Sequence, residues 1–264
     1  MSAIAEARLS ALDRVLDAQP VSEGLADDLF SVVDALAAQP ALRRALTDPG
    51  TPEEARTQVV DALFRGRVSE AAVAVLKEAS RLRWSTSGAF ASGLEREAVR
   101  TLFTVAQNNG QLDEVEDQLF KVGRLVDSHR ELRGTLGDRR TPAEGRRQLL
   151  GSLIDGRVLP VVGRLAKRAV MARSRTFDLT LEGYLKAAAE LRQRAIATVE
   201  VAQPLSGDQT DRLRSALSRQ VGRDVNLRVV LNPAVLGGVR VTLGDEVIEG
   251  TVAGRLADAE RKLS

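Results

Sequence analysis

The chain has 264 residues, 44% of them hydrophobic, and a formal charge of only +2. That apolar content suffices for two or three compact modules and excludes wholesale disorder. The lack of cysteine excludes disulfides and thiolate metal sites and fits a reducing compartment, and an aromatic content of 3% leaves few stacking platforms for RNA.

The first residues, Met1 to Arg8, carry charge where a signal peptide needs an apolar core. No stretch of the chain approaches the roughly 18–20 apolar residues of a membrane span. A soluble protein is expected, one that can still sit against a membrane complex.

Residues 12–83 align with 102–173 without a gap when the chain is shifted by 90 positions. Leu42, Arg43, Leu46 and Asp48 fall on Leu132, Arg133, Leu136 and Asp138. Thr51, Pro52, Glu54, Arg56 and Gln58 fall on Thr141, Pro142, Glu144, Arg146 and Gln148, and Leu63, Gly66, Arg67 and Val68 on Leu153, Gly156, Arg157 and Val158. Earlier in each copy, Asp27, Leu29, Phe30 and Val32 match Asp117, Leu119, Phe120 and Val122. The chain therefore carries a duplicated helical domain. Each Thr-Pro-x-Glu predicts a helix start, with Thr51 or Thr141 as cap and Glu54 or Glu144 completing a capping box. Each Gly-Arg-Val predicts the stop, glycine taking the left-handed conformation.

Apolar spacings of three and four residues predict helices around Leu94–Val105, Leu112–Val126, Val161–Val170 and Leu181–Leu191. The second copy, extended to residue 195, fits a six-helix bundle. Trp84, at the end of the first copy, is expected in packing. His129, the only histidine, lies at a predicted helix end without partners for a metal or a triad. Basic residues crowd the stretch from Arg139 to Arg175, including Arg140, Arg146, Arg147, Arg157, Arg164, Lys167, Arg168 and Arg173, with only Glu144 and Asp155 opposing them. This face reads either as solvated helix surface or as a site for an acidic segment, an anionic lipid or nucleic acid.

From Ile196 the period changes to two. Ala197, Val199 and Val201 form one strand, and Ser206 with Gln209 reads as a capping box before a helix facing inward at Leu213, Leu217 and Val221. Val225, Leu227, Val229 and Leu231 mark a second strand and Val239, Val241 and Leu243 a third, with Gly244-Asp245 turning into Glu246-Val247-Ile248. Val252, Leu256 and Leu263 suggest a closing helix. The glycines at 237, 238 and 244 lack the lysine and helix entry of a phosphate loop and read as turn residues. The fold class is mainly α: a duplicated antiparallel bundle, then a small α/β module ordered β-α-β-β-α. Its domains are expected at 1–87, 88–195 and 196–264.

The C-terminal module resembles that of the ATP synthase delta subunit family, to which the mitochondrial oligomycin-sensitivity-conferring protein belongs. The resemblance is carried by Val201-Ala202-Gln203-Pro204-Leu205-Ser206, Gly222-Arg223-Asp224-Val225, and Asn232-Pro233-Ala234-Val235-Leu236-Gly237-Gly238-Val239. It continues through Gly244-Asp245-Glu246-Val247-Ile248-Glu249-Gly250-Thr251-Val252 and Arg255-Leu256. Glu249, Thr251 and Asn232 depart conservatively from commoner Asp, Ser and Asp. Residues 1–87 lie outside the usual short form, and the duplication resembles the long form of actinobacteria. The resemblance implies a non-catalytic stalk subunit of a proton-translocating F-type synthase on the cytoplasmic face of the bacterial membrane. It implies no cofactor, metal, nucleic acid or self-association. The implied partners are the N-terminal helices of the head α subunits, gripped between the first and fifth helices of the bundle, and the C-terminal helix of subunit b. On this chain the groove falls near 94–107 and 159–172, with Leu102, Phe103, Leu165, Ala166, Val170 and Met171 as its lining. The competing expectation is a free-standing helical adaptor or nucleic-acid-binding protein using the basic face of 139–175.

Overall fold

The computed structural model describes residues 3–172, 175–194, 196–221, 225–233, 235, 238–243 and 246–249. Two compact units divide the chain, residues 1–185 and 186–264.

The helices of the first unit are α1 (Ala3–Asp17), α2 (Glu23–Ala38), α3 (Pro40–Ala45), α4 (Glu53–Phe64), α5 (Glu70–Arg81) and α6 (Ser87–Asn108). They continue with α7 (Leu112–Ser128), α8 (Arg130–Gly137), α9 (Ala143–Ile154), α10 (Pro160–Val170) and α11 (Phe177–Arg194), which runs on into the second unit. The 90-residue shift lays α2–α5 on α7–α10, with α4 and α9 matching end for end. It also lays α6 on α11, and the C-terminal half of α6 on α1 in turn. One helix thus closes the first copy and opens the second. Phe90, Leu94 and Ala98 join a core cluster with Leu12, Leu29, Val60 and Leu76. Val99, Leu102, Phe103 and Ala106, further along, are buried as well. Helix α6 is enclosed on nearly every side, which explains why its polar residues Glu97, Arg100, Thr101 and Thr104 are buried too.

Local signals explain most helix ends. Gly66 and Gly156 both take φ of +75°, directly after α4 and α9. The expected threonine caps are a correction. Helices α4 and α9 start one residue after prolines, Pro52 and Pro142, which are the caps and make no side-chain cap bond. With extended proline backbones at that point, Thr51 is turned back and donates to Asp48 Oδ2 at 3.1 Å instead. Glu144 accepts from Arg147 rather than closing a box.

What holds the middle of each copy is a buried arginine. Arg56 donates to the carbonyls of Asp48 (3.4 Å) and Arg81 (3.3 Å). Its counterpart Arg146 donates to those of Leu136 (2.8 Å) and Val170 (3.2 Å). Arg146 ties together the carbonyl ends of α8 and α10, where backbone acceptors lack partners and the helix dipole is negative, whereas Arg56 ties the carbonyl end of α5 to the loop after α3. A second tie recurs with different chemistry: Asp28 Oδ2 accepts from Ser69 N at 2.8 Å, and Gln118 Oε1 from Leu159 N at 2.7 Å. Trp84 packs against the first copy's core, its indole N–H donating to the Ala79 carbonyl at 2.7 Å. Its ring lies where a side chain on Gly93 would stand, so glycine there permits the close approach.

In the second unit, β1 (Ile196–Val201) leads through α12 (Gly207–Val221) to β2 (Asn226–Leu231), then β3 (Val239–Leu243) and β4 (Glu246–Glu249). The sheet order is β2-β1-β3-β4, with β1 and β2 parallel and the other pairs antiparallel. The helix between β1 and β2 supplies the crossover that a parallel pair requires. Ala197, Val199, Val201, Leu217, Val225, Val241 and Leu243 form its core. Ser206 and Gln209 make the reciprocal capping box, Ser206 N donating to Gln209 Oε1 at 2.9 Å and Gln209 N to Ser206 Oγ at 3.3 Å. Along the second strand Val225 and Leu227 pack toward the core, whereas Val229 and Leu231 are exposed, β2 being a sheet edge. The segment Glu246-Val247-Ile248 is a fourth strand, beyond the three in the expected order. The turn at Gly244-Asp245, the side chain of Val221 and the closing helix lie outside the described residues.

Replacing Arg146 with methionine leaves two buried carbonyl ends without a donor and lowers unfolding free energy by about 2–4 kcal/mol, to be checked by urea denaturation. Arg56→Met costs less, because its two bonds are longer and the Asp48 carbonyl keeps the Thr51 N–H.

Candidate interaction site

Of the six expected groove residues, Leu102 and Phe103 on α6 and Leu165, Ala166 and Val170 on α10 are wholly buried. Met171, just past α10, is half-buried and lines a cavity of about 160 Å³ with Val33, Asp34, Glu95 and Arg168.

That cavity leads to a joint between the two copies. Arg164 and Arg168 stand four residues apart on α10, so they share one side of the helix. Arg164 reaches Glu23 Oε2 at 2.9 Å and also pairs with Asp27, both on α2. Arg168 reaches Asp34 at 2.7 Å and Glu95 at 2.9 Å, and its guanidinium lies 4.8 Å from the centroid of the Phe30 ring. A guanidinium at that distance gains from the ring quadrupole as well as from the carboxylates. Burial opposes the Arg168 charge, but Glu95 and Asp34 outweigh it and raise its pKa. The Tyr184 hydroxyl, pushed up by burial and by Glu95, lies 3.5 Å from the same carboxylate.

The joint changes the reading of the basic stretch. Besides Arg164 and Arg168, Lys167 pairs with Asp155, Arg147 with Glu144 and Arg140 with Asp138, while Arg146 is buried on carbonyls. Four acids far away in sequence therefore face this stretch: Glu23, Asp27, Asp34 and Glu95. The acidic and aromatic partners were visible in the repeat as Asp27 and Phe30, but there they read only as repeat identities. His129 sits at the end of α7, its Nδ1 2.8 Å from the Leu125 carbonyl oxygen.

A second charged cluster binds α1 to α6. Asp13 pairs with Arg96 at 2.6 Å and with Arg100 at 3.6 Å, Arg100 reaches Asp17 at 2.7 Å, and Arg96 also pairs with Glu97. Glu97 is wholly buried. Its carboxyl is raised to about 7, chiefly by burial and further by Asp13, with Arg96 and Arg100 opposing.

The architecture is that of a mainly helical chain with a duplicated bundle and a small C-terminal α/β module. Among the described residues no helix is long and apolar enough to cross a membrane. The family model described as ATP synthase delta (OSCP) subunit matches residues 98–263, which is the second copy and the α/β module. The ATP synthase subunit delta of Streptomyces coelicolor is 41% identical over 99% of this chain and 96% of its own length. That of Beutenbergia cavernae is 38% identical over the whole of both chains. A chain of the Toxoplasma gondii mitochondrial ATP synthase hexamer shares 20% identity over 62% of this chain and 94% of its own, with a TM-score of 0.31, too low to bear on the fold. The chain belongs to the ATP synthase delta (OSCP) subunit family. Both relatives extend across residues 1–97 as well, so the first copy is common to them.

Two outcomes follow for the charged clusters. Arg168→Met lowers unfolding free energy by about 1–3 kcal/mol, as expected for buried hydrogen bonds between charged groups, whereas the more exposed Arg164→Ala costs under about 1 kcal/mol; equilibrium unfolding separates them. For Glu97 the folded carboxyl, at about 7, binds its proton more tightly than the unfolded one, at 4.5. Its contribution is present in full below about 4.5 and is lost as pH rises through 7. Thermal melts between pH 5 and 8 are expected to show stability falling with pH, by an amount of order 3 kcal/mol, and a flatter profile for Glu97→Gln.

Proposed function

We infer that this chain is a non-catalytic subunit of the peripheral stalk of a proton-translocating F-type ATP synthase, at the cytoplasmic face of the membrane, joining the catalytic head to subunit b. Full-length similarity to subunits of that name, through both bundle copies and the α/β module, carries the reading. Its bundle takes the N-terminal helices of the head α subunits, and its α/β module takes the C-terminal helix of b. The working division at 1–87, 88–195 and 196–264 belongs to the same proposal.

The physics suits a load-bearing connector. A helix laid in an apolar groove gains roughly 1.5–3 kcal/mol for each large side chain it buries. Two such contacts on one chain reinforce each other through effective concentration. Under torque, slow dissociation matters more than fast association. Of the expected lining residues, Met171 is the one with accessible surface, so a docked helix meets it before Leu102, Phe103, Leu165, Ala166 or Val170. The competing nucleic-acid reading loses its support, since most cations of the basic stretch are engaged within the chain.

The synthase purified from native membranes through a head subunit is expected to contain this chain in stoichiometric amount. Removing the chain leaves ATP hydrolysis by the head intact and abolishes ATP-driven proton pumping. Absence of the chain from the complex, or pumping that survives its removal, overturns the reading.

A further inference from the structure

Two helix starts that coincide in the repeat differ by a carboxylate. Thr86 and Thr176 cap α6 and α11 alike, accepting from Ala89 N at 3.0 Å and from Leu179 N at 3.4 Å. The second helical position is then Gly88 on α6 and Asp178 on α11. By the same shift, Ala37 near the end of α2 corresponds to Asp127 on α7, and Arg43 on α3 to Arg133 on α8. In the second copy these three charges act on one another: burial raises the Asp178 carboxyl, Asp127 raises it further and Arg133 lowers it. The first copy keeps the arginine and has neither acid.

The cavity of about 160 Å³ lies at that place, for Ala37, Arg43 and Gly88 all line it. The Nε of Arg43 is buried, and no acceptor meets it among the described residues. A buried donor without an acceptor is costly and uncommon in a folded protein. The acids of the cavity, Asp34 and Glu95, are both turned to Arg168, which leaves Arg43 as the cation they do not answer. Val33, Ala91, Met171 and Ala172 give the rest of the wall an apolar character, while Gly88 and Ser92 are exposed, so solvent reaches the mouth.

We propose that this cavity binds a carboxylate carried on a short apolar stem, which takes at Arg43 the place that Asp178 holds in the second copy. A guanidinium matches the two oxygens of a carboxylate, and the stem lies along the apolar wall. The space equals that of about five waters, so it admits a ligand of few heavy atoms. Phosphate suits it less well, since its greater charge meets Asp34 and Glu95 across the same small volume and leaves the apolar wall uncovered. Two carriers have the required chemistry, a free short-chain acid and the acidic side chain of a partner segment.

The full chain in isolation is melted in propionate and in an equal concentration of chloride. Propionate is expected to raise Tm saturably, with half the effect on the order of 1–10 mM for a ligand of about five heavy atoms. Arg43→Met and Gly88→Asp should each abolish that rise. A Cβ added at Gly88 meets only Thr86 Oγ1, at 3.6 Å, so an internal carboxylate has room. Gly88→Asp alone should raise Tm, and should lose most of the gain in the Arg43→Met background; a gain owed only to the helix dipole would persist there. Because the chain has no cysteine, Ser92→Cys places a unique thiol at the mouth. Saturating propionate should slow its maleimide labelling about tenfold on the isolated chain. In the purified synthase, slow labelling without propionate identifies a partner's acid as the carrier, and fast labelling that propionate slows identifies a free acid. The proposal is overturned if propionate has no saturable effect, if its effect survives Arg43→Met, or if phosphate matches it. The melts use the isolated chain, so their failure is distinct from failure of the proposed place in the synthase.

Discussion

Helix α6 is a single element asked to complete two bundles. Its first half supplies Phe90, Leu94 and Ala98 to the core built by α1–α5, and its second half, with Leu102 and Phe103 buried, leads into the next copy, where α6 packs on α7 and α10. A helix so enclosed has no solvent face along which to vary. The consequences are visible in its polar residues: Glu97, Arg100, Thr101 and Thr104 are all buried, and the Arg100 guanidinium takes its partners Asp13 and Asp17 from α1, while Glu97 takes Arg96 from α6 itself; without them each would carry the cost of an unpaired buried charge. The duplication is therefore not two beads on a string. It is one body in which a helix counts twice.

Once α6 is shared, the copies are forced side by side and their facing surfaces have to match. The match is ionic rather than apolar. Arg164 and Arg168 meet three acids on α2 and one on α6, with a phenylalanine beneath the second guanidinium. Arginine suits this place because its planar fork meets several acceptors and an aromatic face at once. A connector that transmits force gains from such a joint, because complementary charges fix its register and a mismatched pairing is penalised.

Much of this is legible in the sequence. The gapless shift revealed the duplication, because Thr51-Pro52 and Thr141-Pro142 keep the same distance from Gly66 and Gly156. Those glycines stop their helices in the left-handed conformation, and Ser206 with Gln209 cap theirs, since each signal depends only on neighbours in sequence. Less legible was anything set by which surfaces meet. Arg164 and Arg168 have the same spacing whether they face water or α2, and Phe30 and Phe120 are matched positions of the repeat, one half-buried and the other exposed. The apolar stripe at Leu102, Phe103 and Leu165 predicts burial correctly but does not say whether another chain or the bundle itself does the burying. The edge position of β2, which leaves Leu231 exposed, follows from sheet order, and sheet order is not written in a period of two.

The sharing of α6 is tested most directly by native-state hydrogen exchange on the full chain carrying Leu94→Ala, a truncation in the first half of that helix that is expected to cost about 2–5 kcal/mol. If one helix completes both copies, amides of α5 and α10 lose opening free energy by similar amounts, because neither bundle stands without it. Loss confined to α2–α5, with α7–α10 exchanging as in the unaltered protein, would mean that the copies are independent and that α6 merely links them.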